Sequence, residues 1–207
     1  MGIGLLAAFL LWTIAITVID VQPIGPRGST VGFATVNRLV HQLTGAHMAL
    51  YTITDWLGLV PFGFVVGFGI LGLVQWIKRK NFLKVDQSIL VLGGFYLLVM
   101  ACYILFEMVV INYRPVLING YLEASYPSST TMLVMCVMPT AGMQFNHRIQ
   151  NKTFKCCVIG LVLAFTLFMV IGRLISGVHW ITDIIGGGLL SAGLVMLYRW
   201  GVHAKKT

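Results

Sequence analysis

Charge is what this sequence has least of. Only 10% of its 207 residues are charged and six are acidic, whereas a soluble domain carries about 25% charged residues. That scarcity excludes an ordinary water-soluble fold. It leaves an integral membrane protein, read as one membrane-embedded domain over 1–207. Cysteine is sparse too. Cys102, Cys136, Cys156 and Cys157 form no C-x-x-C pair and lie in or beside apolar segments. They are expected to be small buried hydrophobes, not a disulfide or redox pair. No cluster of His, Cys or acidic residues has metal-ligand spacing, so neither a metal nor another cofactor is implied. The N-terminus lacks a basic n-region and a small-residue cleavage site, which predicts that the first apolar run stays as a span. Position 6 is Leu, which argues against myristoylation at Gly2.

What the chain has in quantity is apolar sequence, 58% of its residues. Six segments approach the ~20 residues that a bilayer crossing needs. They run roughly over 3–19, 56–77, 88–112, 128–147, 153–176 and 181–199. The expected fold is all-α: six transmembrane helices in one bundle. The one long connection, at about 20–55, opens on the turn formers Pro23, Gly25, Pro26 and Gly28. Over 30–44, apolar residues mix with Arg38, His41 and Gln42 in the manner of an amphipathic interfacial helix.

The net charge of +8 suggests nucleic acid, but its placement argues against that partner. Lys78, Arg79, Lys80 and Lys84 share one short loop, Arg148, Lys152 and Lys155 a second, and Arg199, Lys205 and Lys206 the C-terminus. Basic clusters beside spans are positive-inside signals and contacts for an anionic bilayer surface. They predict a multi-pass cell-membrane protein with both termini cytoplasmic. The connections at 20–55, 113–127 and 177–180 then face outward.

Three polar elements fall on that outer side. Asn112-Tyr113-Arg114-Pro115 ends the third segment; alone it reads as a snorkelling arginine and a helix-stopping proline. Tyr126-Pro127-Ser128-Ser129-Thr130-Thr131 opens the fourth. Alone it reads as a capped helix start, although the free N–H groups of such a start also make an anion site. The third element packs Arg173, His179 and Asp183 into eleven residues between apolar runs. Ionisable groups at a membrane edge are costly and point to function. On a helix, His179 and Asp183 would share one face, and the carboxylate would fix the imidazole tautomer. An arginine offers oxyanions a planar fork of donors. Together the three elements suit chemistry on a phosphoryl group. His41 and His47 are weaker candidates on the same side. Asp55 reads as a helix cap, and Gly186, Gly187 and Gly188 as close-packing positions.

With these residues in hand, the chain resembles the type 2 phosphatidic acid phosphatases, also called lipid phosphate phosphatases. That family carries K-x6-R-P, then P-S-G-H, then S-R-x5-H-x3-D on a six-span bundle. Arg114-Pro115, Pro127-Ser128 and the spacing of Arg173, His179 and Asp183 match. The resemblance implies that His179 is the nucleophile, forming a phosphohistidine, and that Asp183 orients it. It implies that Arg114 and Arg173 hold the phosphoryl oxygens; the helix start read above adds Ser128, Ser129 and Thr130 as further donors. It implies no metal, and a phosphorylated membrane lipid as the partner. Three positions depart from the pattern: Glu107 replaces the lysine, Ser129-Thr130 the Gly-His, and Gly172 the serine. The histidine replaced by Thr130 protonates the leaving group, and that assistance is worth about 10²–10⁴-fold. Its loss favours a substrate whose leaving group needs no proton, which leans towards a polyprenyl diphosphate over phosphatidic acid. Glu107, Glu123 or Tyr126 is the alternative acid, and Glu107 the alternative charge partner for Arg114. A non-catalytic lipid-phosphate binder and a phosphoryl or headgroup transferase are the other readings of the same site.

Overall fold

The computed structural model describes residues 1–203. Among these residues the chain is helical apart from loops and isolated β-bridges. The helices are α1 Gly2–Val18, α2 Ala34–Thr44, α3 Met48–Leu57, α4 Leu59–Arg79, α5 Gln87–Met108, α6 Ser129–Arg148, α7 Lys152–Ile175 and α8 Ile181–His203. Four stretches are long and apolar enough to cross a membrane: Met48–Arg79, α5, α7 and α8. Helix α1 is apolar but shorter. Helix α6 is long enough but less apolar, and its position explains why. Ten of its twenty residues are buried, including Thr131, Thr140 and Gln144, so it meets other helices more than lipid.

Helix α8 packs against α1 and α6, and α6 packs against α7. Phe9 and Ile16 of α1, Leu92 and Phe95 of α5, Met132 and Cys136 of α6, and Leu190 and Leu194 of α8 share one core. The outward faces are just as apolar: Leu10, Val66, Ile70, Leu163 and Leu167 are exposed. An apolar exterior is what a bilayer requires, because lipid offers no partners to polar groups.

Several sequence expectations need correction. The second span does not begin at 56. Its helix starts at Met48 and runs almost unbroken to Arg79, so Asp55 lies inside α3 and is not a cap. Thr52 and Thr54 hide this helix from a hydropathy reading, yet each hydroxyl donates to a carbonyl one turn back, Met48 and Leu50. Helix α5 stops at Met108, although the apolar run continues through Val109, Val110 and Ile111. Cys136 is buried, but Cys156 and Cys157 are exposed on α7, where a bilayer rather than a core would surround them. The amphipathic helix expected within 30–44 is α2. Its Asn37 is buried and donates to Thr182 Oγ1 of α8 at 3.0 Å. Lys205 and Lys206 lie outside the described residues.

The bundle has two polar ends. At one, Asp86 accepts hydrogen bonds from Gln75 and Arg79 of α4 and from Arg148 of α6. The other end gathers the C-termini of α5 and α7, the N-termini of α6 and α8, and helix α3.

Candidate active site

His179 lies in the short turn between α7 and α8, not on a helix. The turn is tight: Gly177 has φ +67°, and a Cβ there would come within 1.8 Å of the Gly45 carbonyl oxygen. The neighbouring Asp183 sits in the first turn of α8, where its Oδ2 accepts the Trp180 N–H at 2.9 Å. This is half of a capping box. Its other carboxylate contacts are Ser125 Oγ, donating at 2.5 Å, and Asn112 Nδ2, donating at 3.3 Å. The carboxylate is fully buried, and three donors compensate its desolvation.

The expected histidine–aspartate pair is present but indirect. His179 Nδ1 is 3.8 Å from Asp183 Oδ2 and 3.1 Å from both the hydroxyl and the carbonyl oxygen of Ser125. Since the Ser125 hydroxyl donates to Asp183, it accepts from His179, which puts the proton on Nδ1. The lone pair is then on Nε2, which is buried without a hydrogen-bond partner. Burial pushes the pKa of His179 below the ordinary histidine value, and Arg114 and Arg173 push the same way, while Asp183 opposes them. A neutral imidazole with a free Nε2 is the nucleophilic form.

Both arginines are buried at this end. Arg173 donates from Nη1 to Thr54 Oγ1 at 3.3 Å and from Nη2 to Asp55 at 3.5 Å. Arg114 pairs with Glu123 at 3.2 Å, not with Glu107 as the sequence suggested. A loop explains the choice. Asn112 and Arg114 pair through backbone hydrogen bonds with Ser125 and Glu123, which fixes Glu123 beside the arginine. Tyr51 is near both cations, its ring centroid 5.9 Å from the Arg114 guanidinium carbon and 4.9 Å from that of Arg173. Arg114 Nη1 and Arg173 Nε have no hydrogen-bond partner, so each arginine keeps donor capacity.

Both arginines, Glu107, Glu123, Ser129 and Thr130 line one cavity of about 540 Å³, whose remaining wall is largely apolar. Ser128 caps α6 by accepting from the Thr131 N–H, and its own N–H donates to the Asp183 carbonyl oxygen at 3.1 Å. Its hydroxyl accepts in the cap and still has its own proton to donate. Glu107 is exposed on the last turn of α5. Tyr126 faces away: its hydroxyl pairs with Thr13 of α1 at 2.7 Å, and burial raises its pKa. It is not placed to act as an acid. Gly186 lets this segment approach, since a Cβ there would sit 2.4 Å from the Tyr126 ring. His41 packs edge-on against Trp180, and His47 holds the Thr44 carbonyl; neither they nor His179 are among the residues that line the cavity.

Sequence reasoning missed Ser125, Tyr51 and Thr54 as site neighbours. No motif names Tyr51 or Thr54. Ser125 had a signal, because Asn119-Gly120 is a type I′ hairpin pair. Both residues have positive φ, and Ile118 and Tyr121 pair across them. Folding the loop back at that point brings 123–125 beside 112–114.

The family model of the PAP2 superfamily matches residues 88–206. The crystal structure of the first transmembrane PAP2 type phosphatidylglycerolphosphate phosphatase from Bacillus subtilis is similar in fold. It aligns with a TM-score of 0.62 at 20% identity, covering 96% of this chain and 94% of that one. No curated protein matches the chain in sequence.

Proposed function

Because this chain belongs to the PAP2 superfamily, we propose that it is a membrane phosphatase that hydrolyses a phosphomonoester or diphosphate of a lipid through a phosphohistidine. One observation carries the proposal: the buried, unpartnered Nε2 of His179, neutral and held from behind by Ser125 and Asp183. In the proposed reaction, Nε2 attacks phosphorus and the bond from phosphorus to the lipid-side oxygen breaks. Water then attacks the phosphohistidine, releasing phosphate and restoring the imidazole. Arg114, Arg173 and the first N–H groups of α6 at Ser129 and Thr130 stabilise the charge on the phosphoryl oxygens.

Thr130 lines the cavity but cannot protonate a leaving alkoxide, since an alcohol holds its proton far too tightly. A diphosphate avoids the difficulty, because the departing lipid monophosphate carries a stable charge. We therefore favour a polyprenyl diphosphate. Glu123 and Glu107, which line the same cavity, are the candidate proton donors for a monophosphate.

The test is phosphate release by detergent-purified protein from a panel of lipid mono- and diphosphates, with His179→Ala alongside. Activity is expected in wild type and loss of at least about 10³-fold in the variant, with an unchanged melting temperature. A variant as active as wild type would remove His179 as nucleophile. No release from any lipid by wild type would favour a lipid-phosphate binder.

A further inference from the structure

Resting on the lipid-phosphatase reading above, we propose that a long apolar groove between α4 and α5 holds one hydrocarbon chain of the substrate and makes the enzyme selective for chain length. A second cavity, of about 600 Å³ and almost wholly apolar, lies between these helices. It shares Val65, Tyr96 and Met100 with the cavity that holds Arg114 and Arg173. The two spaces therefore adjoin along this shared wall, polar where the arginines are and apolar beyond. At its far end the groove reaches Trp76, Phe82 and Leu90, beside the Asp86 cluster. From Glu107 to Leu90 along α5 the path is about 25 Å at 1.5 Å per residue, close to the hydrocarbon thickness of a bilayer.

Glycine keeps this path open. Gly69 of α4 and Gly93 and Gly94 of α5 line it, and a Cβ at any of the three would meet nothing within 4 Å. These glycines are thus not required for helix contact there, in contrast to Gly72, where a Cβ would press on Ile89 at 3.1 Å. Glycine in a helix interior is disfavoured relative to alanine, so three with no packing role call for another reason. Open volume along a lipid-sized channel supplies one. The polar end points to the occupant: Arg173 is almost wholly buried with its Nε unpartnered and lines the adjoining polar cavity. A molecule filling both parts carries a phosphoryl group at one end and a single long chain at the other.

The experiment compares geranyl and geranylgeranyl diphosphate as substrates for wild type, Gly93→Leu and Gly69→Leu. In wild type, kcat/KM is expected to favour the longer chain about tenfold or more. Each leucine is expected to lower the ratio of long-chain to short-chain kcat/KM at least fivefold, mainly through KM. A ratio unchanged in variants that melt like wild type would overturn the groove. A second readout uses a geranylgeranyl-length lipid phosphate bearing a terminal photoreactive diazirine on His179→Ala protein. Labelling near Trp76 and Leu90, competed by unlabelled lipid phosphate but not by phosphatidylcholine, is the expected result. Labelling that phosphatidylcholine competes equally would overturn it. A wild type that labels this way yet releases no phosphate would sink the phosphatase reading and leave the groove standing.

Discussion

At the scale of single residues, the informative side chain is Ser125, which stands between the histidine and the aspartate. Its hydroxyl accepts from His179 and donates to Asp183, so it transmits the carboxylate's orientation to the ring. Ser125→Ala is expected to lower kcat tenfold or more, about 1.4 kcal/mol of barrier, with little change in KM. Ser125→Thr, which keeps the hydroxyl, should restore most of the loss; a purely structural role would show no such rescue. Thr130 carries the second residue-level prediction. Thr130→His should raise kcat/KM for phosphatidic acid more than for a polyprenyl diphosphate, because only the former needs a proton on its leaving oxygen. The cavity beside it has room for the larger ring. Equal wild-type rates on both lipids, with no differential effect of the substitution, would defeat the leaving-group argument. Arg114, Arg173, His179 and Asp183 were legible because their spacing repeats a pattern. Ser125 was not, since its role depends on a loop folding back over the ring.

At the scale of elements, hydrophobic run length made the long helices legible, and their ends were not. The start of α3 was hidden because Thr52, Thr54 and Asp55 look like connection residues. Two of them satisfy themselves on the helix backbone, and Asp55 pairs with Arg173. The end of α5 was hidden because extended chain and helix are equally apolar there. At the opposite end of the bundle, Asp86 joins α4, α5 and α6. Burial alone would raise its carboxyl pKa, but hydrogen bonds from Gln75, Arg79 and Arg148 outweigh that and hold it below the usual 3.8. Its ion pairs are about a third exposed, so each is worth at most about 1 kcal/mol. Asp86→Asn is expected to cost about 1–2 kcal/mol, read as a lower melting temperature in detergent. A depressed carboxyl pKa means the contribution is complete above the unfolded value and fades as pH falls through the folded one. The wild-type and variant melting temperatures should therefore converge below about pH 4. A gap that persists undiminished well below that pH would assign the loss to packing instead.

At the scale of the whole molecule, the chain is polarised. The candidate site occupies one end of the bundle, and Lys78, Arg79, Lys80, Lys84, Arg148, Lys152 and Lys155 lie on the helix ends and loops of the other. The N-terminus belongs to the basic end too, because Met1 and Gly2 line one cavity with Arg199 and Trp200 near the end of α8. Basic residues flanking spans are retained in the cytoplasm, so the physical expectation is an outward-facing site with both termini inside. That orientation also suits the proposed chemistry, since it presents the reacting phosphoryl group to water outside the cell while the substrate chain stays in the bilayer. Cysteine accessibility in intact cells tests it, with Cys156 and Cys157 first replaced by serine because both are exposed. A cysteine at Asn119, on the tip of the hairpin beside the site, should react with a membrane-impermeant maleimide. One at Asn81, in the basic loop after α4, should react only after the cells are opened. Labelling of Asn81→Cys but not Asn119→Cys in intact cells would invert the protein in its membrane. The site would then draw its lipid from the cytoplasmic leaflet, and the charge argument would have failed for a chain whose basic residues are as clearly segregated as these.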